Sequence, residues 1–258
     1  MDIGLTSVTF RSLDYKKIIE YCKECNISCI EWGSDVHALP GDIETAKKIT
    51  EMMSENGIYT SSYGSYYRCG KSENPQHAFS PYISTAKALK APVIRIWAGD
   101  MNYANAGEEY YKRIVKETQT LCDMSQKEKI HIAYEYHSDT LTEDVSTSCR
   151  LMKDIARENM GIYFQEDLSL SIEENIKTIE LFLPYIKMIH VFTFDNKGNR
   201  IPIESETGRA KWESYIKELK TRKVRESLLF EFLRYETCEE LKKEAQSLKS
   251  ILDKFRKI

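Results

Sequence analysis

The sequence lacks several features that would announce whole classes of protein. No apolar stretch in its 258 residues approaches the ~20 needed to cross a bilayer, which excludes a membrane-spanning helix. The opening MDIGLTSVTF has neither a basic start nor a long apolar run, so no export signal is expected and the expected location is cytoplasmic. There is no basic excess: 37 Lys and Arg stand against 40 Asp and Glu, a formal net charge of −3 that argues against a nucleic-acid partner. No G-x-G-x-x-G follows a strand-like run, which removes the dinucleotide fingerprint of an open, doubly wound sheet. Linkers and low-complexity segments are also missing, so one domain over residues 1–258 is expected.

Cysteine is present but organises nothing. The seven are odd in number and scattered, and Cys22, Cys25 and Cys29 form the one cluster. A zinc site needs about four ligands, and no fourth Cys or His lies close by. The cluster reads as a helix end running into a strand, with reduced thiols.

What the chain does contain is alternation. Strand-like runs at 3–8, 28–33, 58–64, 91–99, 130–135, 160–165, 186–194 and 227–233 are each followed by a helix-like run. The helix DIETAKKITEMMSENG closes on Gly57, a common helix stop, and another centres on SPYISTAKALK. Such alternation implies a parallel sheet. Eight repeats in about 250 residues match an α/β fold of one kind, a single (β/α)8 TIM barrel.

In such a barrel, chemistry sits at the C-terminal ends of the strands. Those ends carry Glu31, then Tyr63 to Arg68, then Arg95 and Trp97, then Glu135 and His137, then Gln165, His190 and Glu231. In IHIAYEYHSDTLTED, Glu135 and His137 are two apart and so share a face. Glu231 stands in the otherwise apolar LLFEFL, where an uncompensated carboxylate is expensive. Strands five to eight thus end in Glu135, Gln165, His190 and Glu231, all hard or borderline metal ligands. One divalent ion is the simplest compensation. The mixed oxygen and nitrogen set suits Mn2+, Mg2+ or Co2+, and accommodates Zn2+. A buried Glu paired with Arg95 or Arg68, and a hydrogen-bonded core His, are the plainer readings of the same residues taken singly.

The stretches IEWGSDVH, YGSYYR, IRIWAG, YEYHSDTLTE, YFQED, IHVFTFD and LLFEF carry a resemblance over nearly the whole chain. The sequence resembles the xylose isomerase-like barrels, the sugar phosphate isomerase/epimerase superfamily. The resemblance implies one divalent metal held by Glu, Asp, His and Glu from strands five to eight, which map to Glu135, Gln165, His190 and Glu231. Two departures stand out. Gln165 replaces the usual Asp, as in some branches of the superfamily, and His190 sits slightly early, with Phe192 at the usual place.

The resemblance further implies that Glu135 and Glu231 serve as acid and base around an enediolate. His137 is expected to contact a sugar hydroxyl, to orient Glu135, or to anchor its loop. Arg68, Arg95 and Arg200 are candidates for a substrate phosphate or carboxylate, with structural ion pairing as the alternative for each. His37 and Trp32 are expected to line the pocket, Trp97 to give it an apolar wall, and Tyr63, Tyr66 and Tyr67 to form a rim. Glu31 reads equally as a base or as an Arg partner.

The function expected is a metal-dependent isomerase or epimerase of a sugar or sugar phosphate. The expected partner is a small sugar or polyol, with neither nucleic acid nor membrane, and assembly with like chains is left open. Three alternatives stand beside it. A dehydratase or lyase on a cyclic polyol would use the same metal. A zinc-dependent phosphodiesterase of the endonuclease IV-like type needs more ligands than five histidines provide, and His77 and His131 lie at the wrong ends of their elements. A non-catalytic sugar-binding barrel would follow if Gln165 weakened the site.

Overall fold

The computed structural model describes residues 1–195 and 197–256; Lys257 and Ile258, which the expected domain includes, lie outside them. The elements run β1 (Ile3–Thr6), α1 (Tyr15–Glu24), β2 (Cys29–Gly33), α2 (Ile43–Glu55), β3 (Tyr59–Arg68), α3 (Pro75–Ala88), β4 (Val93–Trp97) and α4 (Tyr103–Gln126). They continue with β5 (His131–Glu135), α5 (Val145–Ile155), β6 (Met160–Phe164), α6 (Ile172–Phe182), β7 (Ile186–Val191), α7 (Glu206–Thr221), β8 (Leu228–Phe230) and α8 (Cys238–Lys254). The strands pair in parallel and in sequence order, and β1 pairs with β8 (Gly4 opposite Leu229) to close the ring. The chain is therefore a (β/α)8 barrel.

Local chemistry explains the boundaries. All eight of these helices begin at a residue whose side chain accepts a backbone N–H of the first turn: Asp14, Asp42, Asn74, Asn102, Asp144, Ser171, Ser205 and Thr237. Gly57, at φ +69°, follows the last turn of α2 as expected. The α3 helix begins five residues before SPYISTAKALK, because Asn74 caps it and Pro75 fits its first turn, and it continues through Pro81. That start takes His77 into the first turn of the helix. Cys22, Cys25 and Cys29 fall on α1, its C-cap and β2, and all seven cysteines are free thiols.

Strand alternation sorts the core into two parts. Residues of one parity, such as Ile30, Trp32, Ile94, Ile132, Ile162, Ile189 and Phe230, pack between the barrel and its helices. Those of the other parity fill the lumen, whose lower part is a small cluster of Cys29, Val93, Ala133, Tyr163, Met188 and Leu229. Two residues further along the strands, the lumen turns polar.

Candidate metal centre

The step from Cys29, Val93, Ala133, Met188 and Leu229 to the next residue on the same face arrives at Glu31, Arg95, Glu135, His190 and Glu231. All five are nearly or fully buried, between 0% and 5% exposed. The partner of the Glu135 carboxylate is first of all Arg95, whose Nη1 donates to its Oε2 at 2.5 Å. Trp97 donates its indole N–H to the same oxygen. Thr142 Oγ donates to the Glu135 carbonyl at 2.5 Å, tying the following loop to the strand end.

The other oxygen of Glu135 faces a shared point. His190 Nδ1 lies 3.5 Å from Glu135 Oε1, 3.2 Å from Glu231 Oε2 and 3.1 Å from Gln165 Oε1. Ligand atoms around an ion at ~2.1 Å stand ~3.0–3.4 Å apart in octahedral or tetrahedral arrangements. The spacings from the ring nitrogen match that range closely, and Glu135, His190 and Glu231 all offer ligand atoms within 4.8 Å of one another.

Charge points the same way. Three buried carboxylates, Glu31, Glu135 and Glu231, face one guanidinium, that of Arg95, so a neutral His190 leaves a deficit of two positive charges. A divalent ion meets that deficit exactly in number. The same field shows in the titration of these groups. Burial acts to lower the His190 pKa, but the carboxylates of Glu231, Glu135 and Glu31 outweigh it and hold the imidazole well above its ordinary range. Burial acts to raise Glu135 and Glu31, yet Arg95 and His190 hold both below the ordinary carboxylate range. The residues present thus fit a divalent cation, held by two carboxylate oxygens, one amide oxygen and one imidazole nitrogen.

The remaining expected site residues scatter. Arg68, at the end of β3, stacks over Trp97 at 3.8 Å and donates to the Gly99 carbonyl, and no carboxylate pairs with it among the described residues. His137 packs against Trp97 with ring centroids 5.3 Å apart and turns Nδ1 to the Ser138 carbonyl at 2.7 Å. Trp97, expected as an apolar wall, carries Arg68, His137 and the edge of Tyr66 on its ring. Arg95 is not an anion receptor, because Glu135 and Glu31 already face it.

His37 leaves the pocket altogether. It is buried between Ser7 Oγ and the Leu13 carbonyl, 3.0 Å from each, where the loop after β2 folds back. Trp32 has the outward parity of β2 and donates to Met53 Sδ of α2. Tyr63 and Tyr67 share outward parity on β3, with hydroxyls on the Ala38 carbonyl and Glu117; Tyr66 alone of the three reaches the mouth, against Trp97. Arg200 is exposed, stacks on Phe232 and donates to the Leu233 carbonyl at 3.1 Å. Phe192 lies past β7 against Phe194 and Phe232, so His190, not that position, brings its side chain to the ligand set.

Three residues of the site carried no sequence signal. Ser62 donates to Glu31 Oε2 at 2.8 Å, and a register shift between Ile30 and Glu31 aligns the two. Gly64 lets Glu31 and Arg95 approach β3. The edge of Tyr163 meets the His190 ring at a centroid distance of 5.2 Å. Only the alternation of Tyr163 with Gln165 could have exposed the last of these.

A closed parallel barrel with carboxylate, imidazole and amide groups gathered at its C-terminal mouth is an arrangement able to hold a divalent ion. The family model for the xylose isomerase-like TIM barrel matches residues 19–255, and the chain belongs to that family. Solved structures agree on the fold. The probable 3-DHS dehydratase AsbF from Bacillus anthracis superposes with a TM-score of 0.81 at 16% identity, covering 96% of this chain and 99% of that one. The IOLI protein with a bound zinc atom gives 0.78 at 16% identity, covering 99% of both chains. A D-psicose 3-epimerase crystallised with D-fructose gives 0.74 at 15% identity, covering 98% of this chain and 99% of that one. A search of curated proteins finds no sequence match. None of the helices described is long and apolar enough to cross a membrane.

Proposed function

We propose that this protein is a divalent-metal-dependent enzyme that isomerises a sugar or sugar phosphate through an enediolate, with Glu231 as the proton carrier. The observation that carries the reading is the asymmetry of the two glutamates. Both oxygens of Glu135 are committed, Oε2 to Arg95 and Trp97 and Oε1 to the ligand set. Glu231 presents Oε2 to His190 and has no other charged partner among the described residues. Its second oxygen is the one available to a substrate.

An ion held by Glu135, Gln165, His190 and Glu231 would supply Lewis acidity toward a carbonyl and a neighbouring hydroxyl oxygen, and so would acidify the C–H between them. Glu231 then takes that proton and returns it on the same side of the enediolate at the adjacent carbon, while the hydroxyl proton passes from the one oxygen to the other, giving the isomer. Arg95 keeps Glu135 anionic and fixed, so Glu135 acts by holding and by charge. Arg68, at the mouth and without a carboxylate partner among the described residues, engages an anionic substituent of the substrate.

A single carrier also suits a second reading, a dehydratase, in which Glu231 passes the proton to a departing hydroxyl on the same face. Epimerisation at one carbon asks for carriers on both faces, which the pairing of Glu135 disfavours. Turnover of a panel of ketoses, aldoses and cyclic polyols in D2O tests the proposal. Isomerisation should place deuterium at the receiving carbon, and Glu231→Gln should abolish it while the barrel stays folded. A product lighter by one water favours the dehydratase. Turnover in Glu231→Gln equal to wild type, or no product from any substrate, overturns the proposal.

A further inference from the structure

We propose that Glu31 is a positioning residue for His190: its carboxylate takes the Nε2–H of the imidazole and so fixes the tautomer whose Nδ1 is bare toward Glu135, Gln165 and Glu231. The inference rests on the metal-binding reading above and adds a residue outside the ligand set. His190 is fully buried, and Nε2 has no hydrogen-bond partner among the described residues. The carboxylate it faces is Glu31, with Oε1 at 3.6 Å. About half an ångström of closure makes that contact a hydrogen bond.

Glu31 is itself held for the task. Ser62 Oγ donates to Oε2 at 2.8 Å, and Arg95 Nε stands 3.9 Å from Oε1. Gly64 makes the room: a Cβ there would lie 2.9 Å from Glu31 Oε1 and 3.2 Å from Arg95 Nη2. Tyr163, edge-on to the imidazole at 85°, restricts the ring plane. A neutral imidazole offers an ion only the nitrogen that carries no proton, and the hydrogen bond at the other nitrogen decides which one that is. Glu31 makes that choice on strand β2, across the lumen from the ligand strands.

The test uses the whole chain and two metals alone, Mn2+ and Zn2+, with affinity measured by chelator competition and the His190 ring nitrogens read from long-range 1H–15N spectra of the Zn2+ form. Wild type should show Nε2 protonated. Glu31→Ala should bind each metal about 10- to 100-fold more weakly. Glu31→Gln, whose amide oxygen still accepts, should lose less, and Ser62→Ala should lose several-fold. Wild-type affinity in folded Glu31→Ala, or a bare Nε2 in wild type, overturns the proposal. If Glu31→Ala does not fold, unchanged affinity in Ser62→Ala overturns it. A wild type that binds neither metal overturns this proposal and the functional reading together, whereas normal metal binding without turnover overturns only the latter.

Discussion

Replacing Arg95 with Met keeps the bulk of the stem and removes only the cation. Arg95 is 3% exposed, with Glu135 at 2.5 Å and Glu31 at 3.9 Å. Without it, two lumen carboxylates, with Glu231 a third, are left facing His190 alone. Breaking a buried pair by removing one member costs about 3–5 kcal/mol, because the abandoned charge stays buried. In a chain of this size that corresponds to a Tm lower by ~10 °C. The cost has a definite pH dependence. Arg95 and His190, outweighing burial, hold Glu135 well below its ordinary value of 4.5. A depressed carboxylate contributes stability above the unfolded value and loses it as pH falls through the folded one. The gap between wild type and Arg95→Met should therefore be widest near neutral pH and should narrow below 4.5. Urea denaturation in chelator, at neutral pH and near pH 4, measures it. Adding Glu135→Gln should restore part of the loss, since an amide needs no counter-charge. A neutral-pH loss under ~1 kcal/mol, a gap that widens toward acid, or a double variant weakened by the full sum of both changes would refute the reasoning.

Gln165 gives the ligand set a neutral oxygen, so Gln165→Asp should raise metal affinity and Gln165→Ala lower it in chelator competition; unchanged affinity in both removes Gln165 from the set. Metal at about 100 times its Kd should stabilise the protein by ~2.7 kcal/mol, a Tm rise of ~5–10 °C that Glu231→Gln largely removes in a thermal melt. Glu244, 6% exposed, accepts the Ile203 N–H with both oxygens at 3.1 and 3.2 Å, yet burial pushes its carboxyl up from 4.5 to about 7. The stability this raised pKa contributes is complete below 4.5 and lost as pH rises through 7, so Glu244→Gln should gain up to about 3 kcal/mol on wild type between acid and pH 8 in urea melts.

The barrel was legible because its determinants are local and repeated: eight strand-like runs, helices with polar caps, and a period of two that put Glu135 and Glu231 inside. The ends of strands were less so. Gln165 and Glu231 each fall one residue past their strands, because the backbone there turns toward the mouth while the side chain keeps the lumen face. β3 runs on to Arg68 where a loop was expected, since hydroxyl and aromatic side chains sustain a strand as well as aliphatic ones do. The sequence raised the pairing of a buried Glu with Arg95 or Arg68 but did not choose between them. Arg95 stands near Glu135 only because β4 and β5 are neighbours in register, and His37 and Arg200 were drawn elsewhere by carbonyls that no pattern of residues marks.

The seam between β1 and β8 has a consequence for how the protein is made. The residues around the metal centre leave the ribosome in the order Glu31, Arg95, Glu135, Gln165, His190, Glu231, and the last of them follows the very strand that closes the ring. A growing chain that has made seven strands possesses most of the donors but neither the final carboxylate nor the wall that holds it. If the centre holds an ion as proposed, its capture and ring closure would in this sense be one event, and an ion held by Glu135 and Glu231 would span four adjacent strands up to that joint. Occupancy would then serve as a mark of completion, and the strand added last would be the one whose departure the ion most directly opposes.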